Sequence, residues 1–376
     1  MKEIPIISRR LWQLAGWFLI FLLTGCGRDP SEVKEQEIDP ADHKLNVVTT
    51  IFPYYDFVRQ IGSEWVDLTL VVPAGMDSHS FEPTPADMRR IQEADVLICN
   101  GGAMEHWLDQ VLEAVDSSKI TVVTLMDYVD VVEEELVEGM EDGAHGDHAD
   151  DEDLAAHREH AGYKQGTEAV GENLNGRAAR KTDDRQELSE IDDDGYHVDI
   201  EYDEHIWTSP VNSMKMIEVI STVLGQKDPL HAAEYQRAAE TYRRQLERID
   251  HELREVSDQR QRNLIVLGDK FPFRYLAEEY DLDYRAAFSG CSTDTEPSAK
   301  TIAYLIDKVK EKQIPVIYYL ELSSTRVAEI ISEESGAQPL LLHSCHNVTR
   351  REFEAGVTYV ELMEQNVENL RKGLVE

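Results

Sequence analysis

His79, His205, Glu321, His343 and His346 are far apart in the chain, yet each is placed by the pattern of β-branched runs just past a strand. His79 follows the run Val66 to Val72, Glu321 the run Ile314 to Tyr319, and His343 and His346 the run Gln338 to Leu342. His205 comes after Ile120 to Leu125 and a long acidic stretch. Imidazole nitrogens and carboxylate oxygens are the donors a divalent transition metal takes, three or four of them converging at about 2.0–2.3 Å. Open parallel sheets gather such donors beyond the carboxyl ends of their strands, where loops meet without disturbing the sheet. One such histidine alone is more often a hydrogen-bonded loop residue. Their shared position makes them candidates for one site.

The elements that must position them repeat in two halves. Leu45 to Thr50, Val66 to Val72, Asp95 to Cys99 and Ile120 to Leu125 read as strands, and so do Asn263 to Leu267, Asp283 to Phe288, Ile314 to Tyr319 and Gln338 to Leu342. Helical patterns lie between them. One is announced by Thr84-Pro85, a capping residue before proline at the first helical position, with Met88 and Ile91 on one face. Alternating strand and helix implies parallel sheets covered on both faces, hence an α/β fold of two lobes. Between the halves, Tyr235, Ala238, Tyr242, Leu246, Ile249, Leu253 and Val256 recur every three or four residues, and no Gly or Pro interrupts 230–263. The spacing predicts one helix, roughly 40 Å long at about 1.5 Å per residue and stiff enough to join the lobes; a surface helix within one lobe is the alternative.

The 376 residues carry 74 acidic against 37 basic side chains, so a polyanionic partner such as nucleic acid would be repelled. The charge is uneven: 133–204 holds 25 acidic and 6 basic residues. That density predicts a disordered insertion in the first lobe, about 133–200, with order returning near Tyr202. It contains His145, His148, His157 and His160 among carboxylates, a tract that reads either as a weak metal collector or as a solvated charge run. At the other extreme of polarity, Leu11 to Leu23 is apolar behind Lys2, Arg9 and Arg10, too short to span a membrane and read as a signal. It ends in Leu23-Thr24-Gly25-Cys26, which resembles the lipobox of bacterial lipoproteins and marks Cys26 for acylation. The domain reading is a signal peptide at 1–25, a tether at 26–44, a first lobe at 45–228, a linker helix at 229–262 and a second lobe at 263–376.

Three stretches carry a closer resemblance: Phe52-Pro53-Tyr54-Tyr55-Asp56-Phe57, Gly75-Met76-Asp77-Ser78-His79-Ser80-Phe81-Glu82-Pro83-Thr84-Pro85, and Asp203-Glu204-His205-Ile206-Trp207-Thr208-Ser209-Pro210. Together they resemble the zinc and manganese solute-binding lipoproteins of ABC transporters, over Leu45 to Leu374 apart from most of the insertion. The resemblance implies two (β/α)4 lobes joined by a rigid helix, with the metal between them and His79 and His205 as ligands. It further implies an extracytoplasmic, lipid-anchored monomer that captures a divalent ion and delivers it to an ABC permease, and no enzyme. Where the family commonly places a third ligand, a histidine, this chain has Lys270, whose ammonium cannot coordinate. His343 is therefore expected to complete the shell with His346 or Glu321, and Lys270 to pair with Asp269 or Glu321.

A histidine-dominated set favours Zn2+, with Mn2+ as the alternative cargo. The competing class is a surface adhesin or interaction protein with a structural metal. A metal-dependent hydrolase would need an open coordination position and a general base, but the sequence has no His-Glu-x-x-His, Gly-x-Ser-x-Gly or phosphate-loop pattern. Cys291 and Cys345 both fall at strand ends, so a disulfide between them requires only that their Cα atoms lie within about 7 Å.

Overall fold

The first four expected strands form β1 (Leu45–Thr49), β2 (Val66–Leu70), β3 (Val96–Cys99) and β4 (Thr121–Thr124). In the computed structural model they make a parallel sheet in the order β2-β1-β3-β4, with Val47 opposite Leu68 on one side and Val96 on the other. The structure describes residues 44–140, 190–191, 197–198, 202–290 and 296–376. The signal segment, Cys26, the tether, the four histidines of the insertion and Cys291 lie outside the described residues. Helices α1 (Phe52–Gly62), α2 (Pro85–Gln92) and α3 (Trp107–Ala114) connect the strands. At α2 the expected cap is present as a reciprocal box: Thr84 Oγ1 accepts the Asp87 N–H, and the Asp87 carboxylate accepts the Thr84 N–H.

A short antiparallel pair, β5 (Glu190–Ile191) and β6 (His197–Val198), precedes helices α4 (Pro210–Lys227) and α5 (Ala232–Gln259). The second half contains β7 (Leu264–Val266), β8 (Lys270–Phe271), β9 (Asp283–Arg285), β10 (Phe288–Ser289), β11 (Val316–Tyr319) and β12 (Gln338–Leu341). Its helices are α6 (Arg274–Glu279), α7 (Ala299–Lys312), α8 (Arg326–Ser335), α9 (Arg350–Ala355) and α10 (Tyr359–Leu374). The parallel pairs β7/β9 and β11/β12 are joined by a parallel bridge between Leu267 and Tyr318. The resulting order, β9-β7-β11-β12, repeats that of the first sheet: second, first, third and fourth strand.

Side-chain alternation then divides the interior. Val47, Val96, Ile98 and Val123 of the first sheet face a central core that also takes Ile265, Leu267, Val316 and Tyr318 of the second. The opposite faces fill two outer cores, Val48, Leu97 and Cys99 with Ile91 and Trp107, and Val266 and Ile317 with Leu305 and Ile331. Helix α5 lies in the central core through Tyr235, Ala239, Tyr242, Leu246, Ile249, Leu253 and Val256. Ala239 is buried where the spacing pointed to Ala238, because i+4 from Tyr235 stays closer to the stripe than i+3 here. Lys44–Glu376 consequently forms one compact unit.

The insertion is pinched at its base by an antiparallel bridge between Glu133 and Tyr202 and by the Asp203 N–H donated to Val132 O (2.9 Å). Its first residues do not behave as a solvated run. Val137 and Met140 pack on the central core, Glu135 pairs with Arg274 (3.0 Å), and Glu138 lies 3.7 Å from Arg285. These acidic side chains are held because basic side chains of the second half face them. Among the described residues no helix is long and apolar enough to cross a membrane.

Candidate metal centre

His79 sits in a single 3-10 turn, Ser78–Ser80, that follows β2. Asp77 caps the turn by accepting the His79 N–H at 3.1 Å, and Ser78 is fully buried beside it. His205 is held from behind by Asp203, whose Oδ1 accepts the His205 N–H (2.8 Å) and lies 3.2 Å from ring Nδ1. A carboxylate on Nδ1 fixes the ring and leaves Nε2 as the outward donor. Tyr275 in turn donates its hydroxyl to Asp203 O (2.6 Å).

His346 belongs to the turn after β12. Glu321, at the end of β11, accepts both the N–H (2.8 Å) and the hydroxyl of Ser344, and Ser344 Oγ accepts the His346 N–H (3.2 Å). Cys345 between them takes φ +61°, a conformation that turns the chain so that His346 faces the first half. Asn347 Nδ2 then donates to Pro73 O and Met76 O (2.9 and 2.6 Å), and Ser78 Oγ lies 2.6 Å from His346 Nε2. Trp207 closes the floor. Its indole N–H donates to Ser344 O (2.7 Å), and its ring lies 5.4 Å from both the His205 and His346 rings.

Three imidazoles from remote parts of the chain therefore form a nearly equilateral triangle. Ring centroids are 6.5 Å apart for His79–His205, 6.1 Å for His79–His346 and 6.2 Å for His205–His346. With nitrogens about 2.0–2.1 Å from a zinc ion, three such centroids stand about 5 Å apart. The triangle is about 1 Å too wide on each side for coordination, and among the described residues no three donors already stand at coordinating spacing. A small inward shift of the turns carrying His79 and His346 would close it.

The electrostatics suit a cation-binding site. Burial, followed by the neighbouring His205, lowers His79 to about 4. Burial and the other two imidazoles hold His346 well below the ordinary histidine range. Burial acts downward on His205 as well, but Asp203 together with the Glu134 and Glu204 carboxylates outweighs it and the ring ends above its usual value. Two corners are thus neutral donors at neutral pH, and a proton shared by the cluster resides on His205.

The structure places His343 and Glu321 in the turn that carries His346. His343 Nδ1 accepts the Cys345 N–H (2.9 Å) and stands 3.5 Å from Glu321 Oε1. Its backbone is clasped by Asn366, which accepts from His343 N–H and donates to His343 O, both at 2.7 Å. Its Nε2 is buried with no hydrogen-bond partner among the described residues. Of the expected partners of Lys270, Asp269 is the one on which its charge acts: burial raises the Asp269 carboxyl above its usual range and Lys270 works against that rise, although no side-chain ion pair of Lys270 is among those described and Asp269 Oδ1 accepts the Lys270 backbone N–H (2.8 Å). Cys345 is buried and free.

Residues that sequence reasoning passed over are those that brace the His205 turn. Beyond β3, Asn100 Nδ2 donates to Glu204 O (3.0 Å), and the Glu204 carboxylate accepts the N–H groups of Ala103 and Met104. Burial raises Glu204 to about 7 despite those bonds. Gly102, φ +86° and ψ −174°, is the residue that allows this contact, since a Cβ there would come 2.2 Å from Glu204 Oε1. Gly102→Ala is expected to cost at least ~2 kcal/mol, read as a lowered thermal midpoint, and to weaken metal binding through the His205 turn. An unchanged midpoint would remove this brace from the account. The signal available in the sequence was Gly101-Gly102 directly after a strand, which reads as a turn without naming its partner.

The family profile that matches residues 47–373 is ZnuA, described as the periplasmic component A of a zinc-uptake complex. The chain belongs to the ZnuA family. It is 27% identical over 365 residues to the high-affinity zinc uptake system protein ZnuA of Bacillus subtilis, covering 97% of each chain. It is 28% identical over 334 residues to the zinc-binding lipoprotein AdcA of Streptococcus pneumoniae, covering 88% of this chain but only 56% of AdcA. Among solved structures, the metal-dependent lipoprotein YcdH of Bacillus subtilis matches with TM-score 0.64 and 25% identity, over 89% of this chain and all of that one. His79 follows β2 of the first sheet and His346 follows β12 of the second, so these two corners of the triangle lie past carboxyl strand ends.

Proposed function

We propose that this ZnuA-family chain captures zinc outside the cytoplasm and delivers it to an ABC permease for import, binding the ion through His79, His205 and His346. The carrying observation is the imidazole triangle itself, built from segments that only the tertiary fold brings together. A three-nitrogen set suits zinc better than the oxygen-rich surroundings manganese prefers, and it leaves the fourth tetrahedral position open. Glu321 and His343 support the His346 turn from behind. The similarity to a high-affinity zinc uptake protein over nearly the full chain points to the same cargo. In this reading the protein is a transport component and not an enzyme.

The finer parts of the reading follow from sequence. Cys26 carries the lipid that holds the monomeric chain at the membrane, and 26–44 is the tether. The lobes span 45–228 and 263–376 around the linker helix, and the histidines of the insertion feed metal toward the cleft. A strain lacking the protein should stop growing in chelator-treated medium and recover on added zinc; recovery on manganese alone would exclude zinc as the cargo. Cys26→Ala should release the chain from the membrane fraction.

A further inference from the structure

Two corners of the triangle are held through one ring nitrogen each. At His205 the partner is Asp203, on Nδ1. At His346 it is Ser78, whose Oγ lies 2.6 Å from Nε2 although the two are 268 positions apart in the chain. Ser78 is fully buried, and this is the one hydrogen bond of its side chain among the described residues. His346 is partly exposed, and its other ring nitrogen, Nδ1, makes no hydrogen bond among the described residues. Nor is Nδ1 sealed in: the buried side-chain nitrogens that lack a partner include His343 Nε2 and not His346 Nδ1. A second tie runs beside the first, with Asn347 Nδ2 donating to Pro73 O and Met76 O, so segments 73–80 and 343–347 are braced against each other at two points. Ser78 directly precedes His79 in its turn, so an inward movement that brings His79 to an ion carries the partner of His346 with it.

An ion approaching His346 therefore meets two nitrogens of unequal standing. Coordination through Nε2 strips a buried hydroxyl of its partner, a loss of about 1–3 kcal/mol. Coordination through Nδ1 leaves that contact intact, with Nε2–H donating to Ser78 Oγ, the arrangement that orients a ligating imidazole and raises its basicity. We propose that Ser78 is the positioning residue of His346: it holds Nε2 so that the captured ion is coordinated through Nδ1, the opposite ring nitrogen from the one His205 offers. This inference rests on the zinc-capture reading and names the ligating atom at one corner of the same site and the side chain that selects it.

The test is nuclear magnetic resonance of the purified chain carrying nitrogen-15 histidine and loaded with cadmium-113, a spin-active substitute for zinc. One-bond coupling between metal and nitrogen should appear on Nδ1 of His346 and on Nε2 of His205, each ring assigned through its Cβ. A zinc competition titration of Ser78→Ala accompanies it. That variant should bind about 10–100-fold more weakly than the unaltered chain, the range for loss of an outer partner of a metal ligand. Its cadmium form should lose the exclusive coupling on Nδ1, because the freed Nε2 competes for the ion. Coupling on His346 Nε2 in the unaltered chain, or none on that ring, would overturn the inference, as would a Ser78→Ala variant that binds zinc as tightly as the unaltered chain or more tightly. Each of these results leaves zinc capture standing. The coupling measurement needs no variant, so it decides between the two nitrogens if Ser78→Ala does not fold. Absence of both zinc binding and cadmium coupling to any of the three imidazoles would sink inference and capture together.

Discussion

His346→Ala loses zinc affinity by more than the ~10–100-fold that removal of an outer partner causes, whereas His343→Ala stays within that range. The two histidines are three residues apart in one turn, and sequence position alone favours neither. Geometry separates them. His346 stands 6.1 and 6.2 Å, ring centre to ring centre, from His79 and His205, with Trp207 at its back. His343 Nδ1 accepts a backbone N–H from Cys345 and lies 3.5 Å from Glu321 Oε1, and its main chain is locked to Asn366, so its ring is held on the Glu321 side of the turn. Removing the His343 ring leaves a buried gap and a less rigid turn, a cost paid mainly in stability. Competition titration against a chelator of known affinity measures both variants. The assignment fails if His343→Ala proves the more damaging of the two.

Acidification should weaken zinc binding through His205 first. A protonated imidazole cannot coordinate, so the group that titrates highest sets the pH at which affinity begins to fall. Burial lowers His205, but Asp203, with Glu134 and Glu204 behind it, carries the ring above its ordinary value, while His79 is lowered to about 4. Above the His205 pKa, affinity is independent of its proton; below it, binding releases one proton and affinity drops about tenfold per pH unit. His79 adds nothing to this decline until much lower pH. Asp203→Asn removes the charge that holds the proton, so its decline should begin at lower pH. At high pH the same variant should bind about 10–100-fold more weakly, because the ring loses its orienting partner. Titrations between about pH 5 and 8 would show this crossing of the two curves. Parallel curves would mean that Asp203 does not govern the His205 proton.

The reach of the sequence differed from element to element. All eight strands of the two sheets were legible because short β-branched runs between helical patterns have few other solutions, and their carboxyl ends pointed to His79, His205 and the turn after β12. The long helix was legible from its stripe. The choice between His343 and His346 was not, since it depends on the left-handed Cys345 and on Glu321 reaching Ser344 across two strands. Neither contact leaves a local pattern. The Gly102–Glu204 brace was hidden for the same reason, its partners being separated by the acidic insertion. The ordered start of that insertion escaped because charge density was read without Arg274 and Arg285, which fold back to meet it.

The central core has a further consequence. Val47 and Ile98 of one sheet, Ile265 and Tyr318 of the other, and the buried stripe of α5 belong to one continuous apolar interior. Neither half retains a complete interior of its own, so severing the chain beside α5 yields fragments that expose what they formerly shared. Heat should then melt the body as a single cooperative event, and whatever draws the ion out must act on the rim, the turns at Ser78 and His346, against a body that does not come apart.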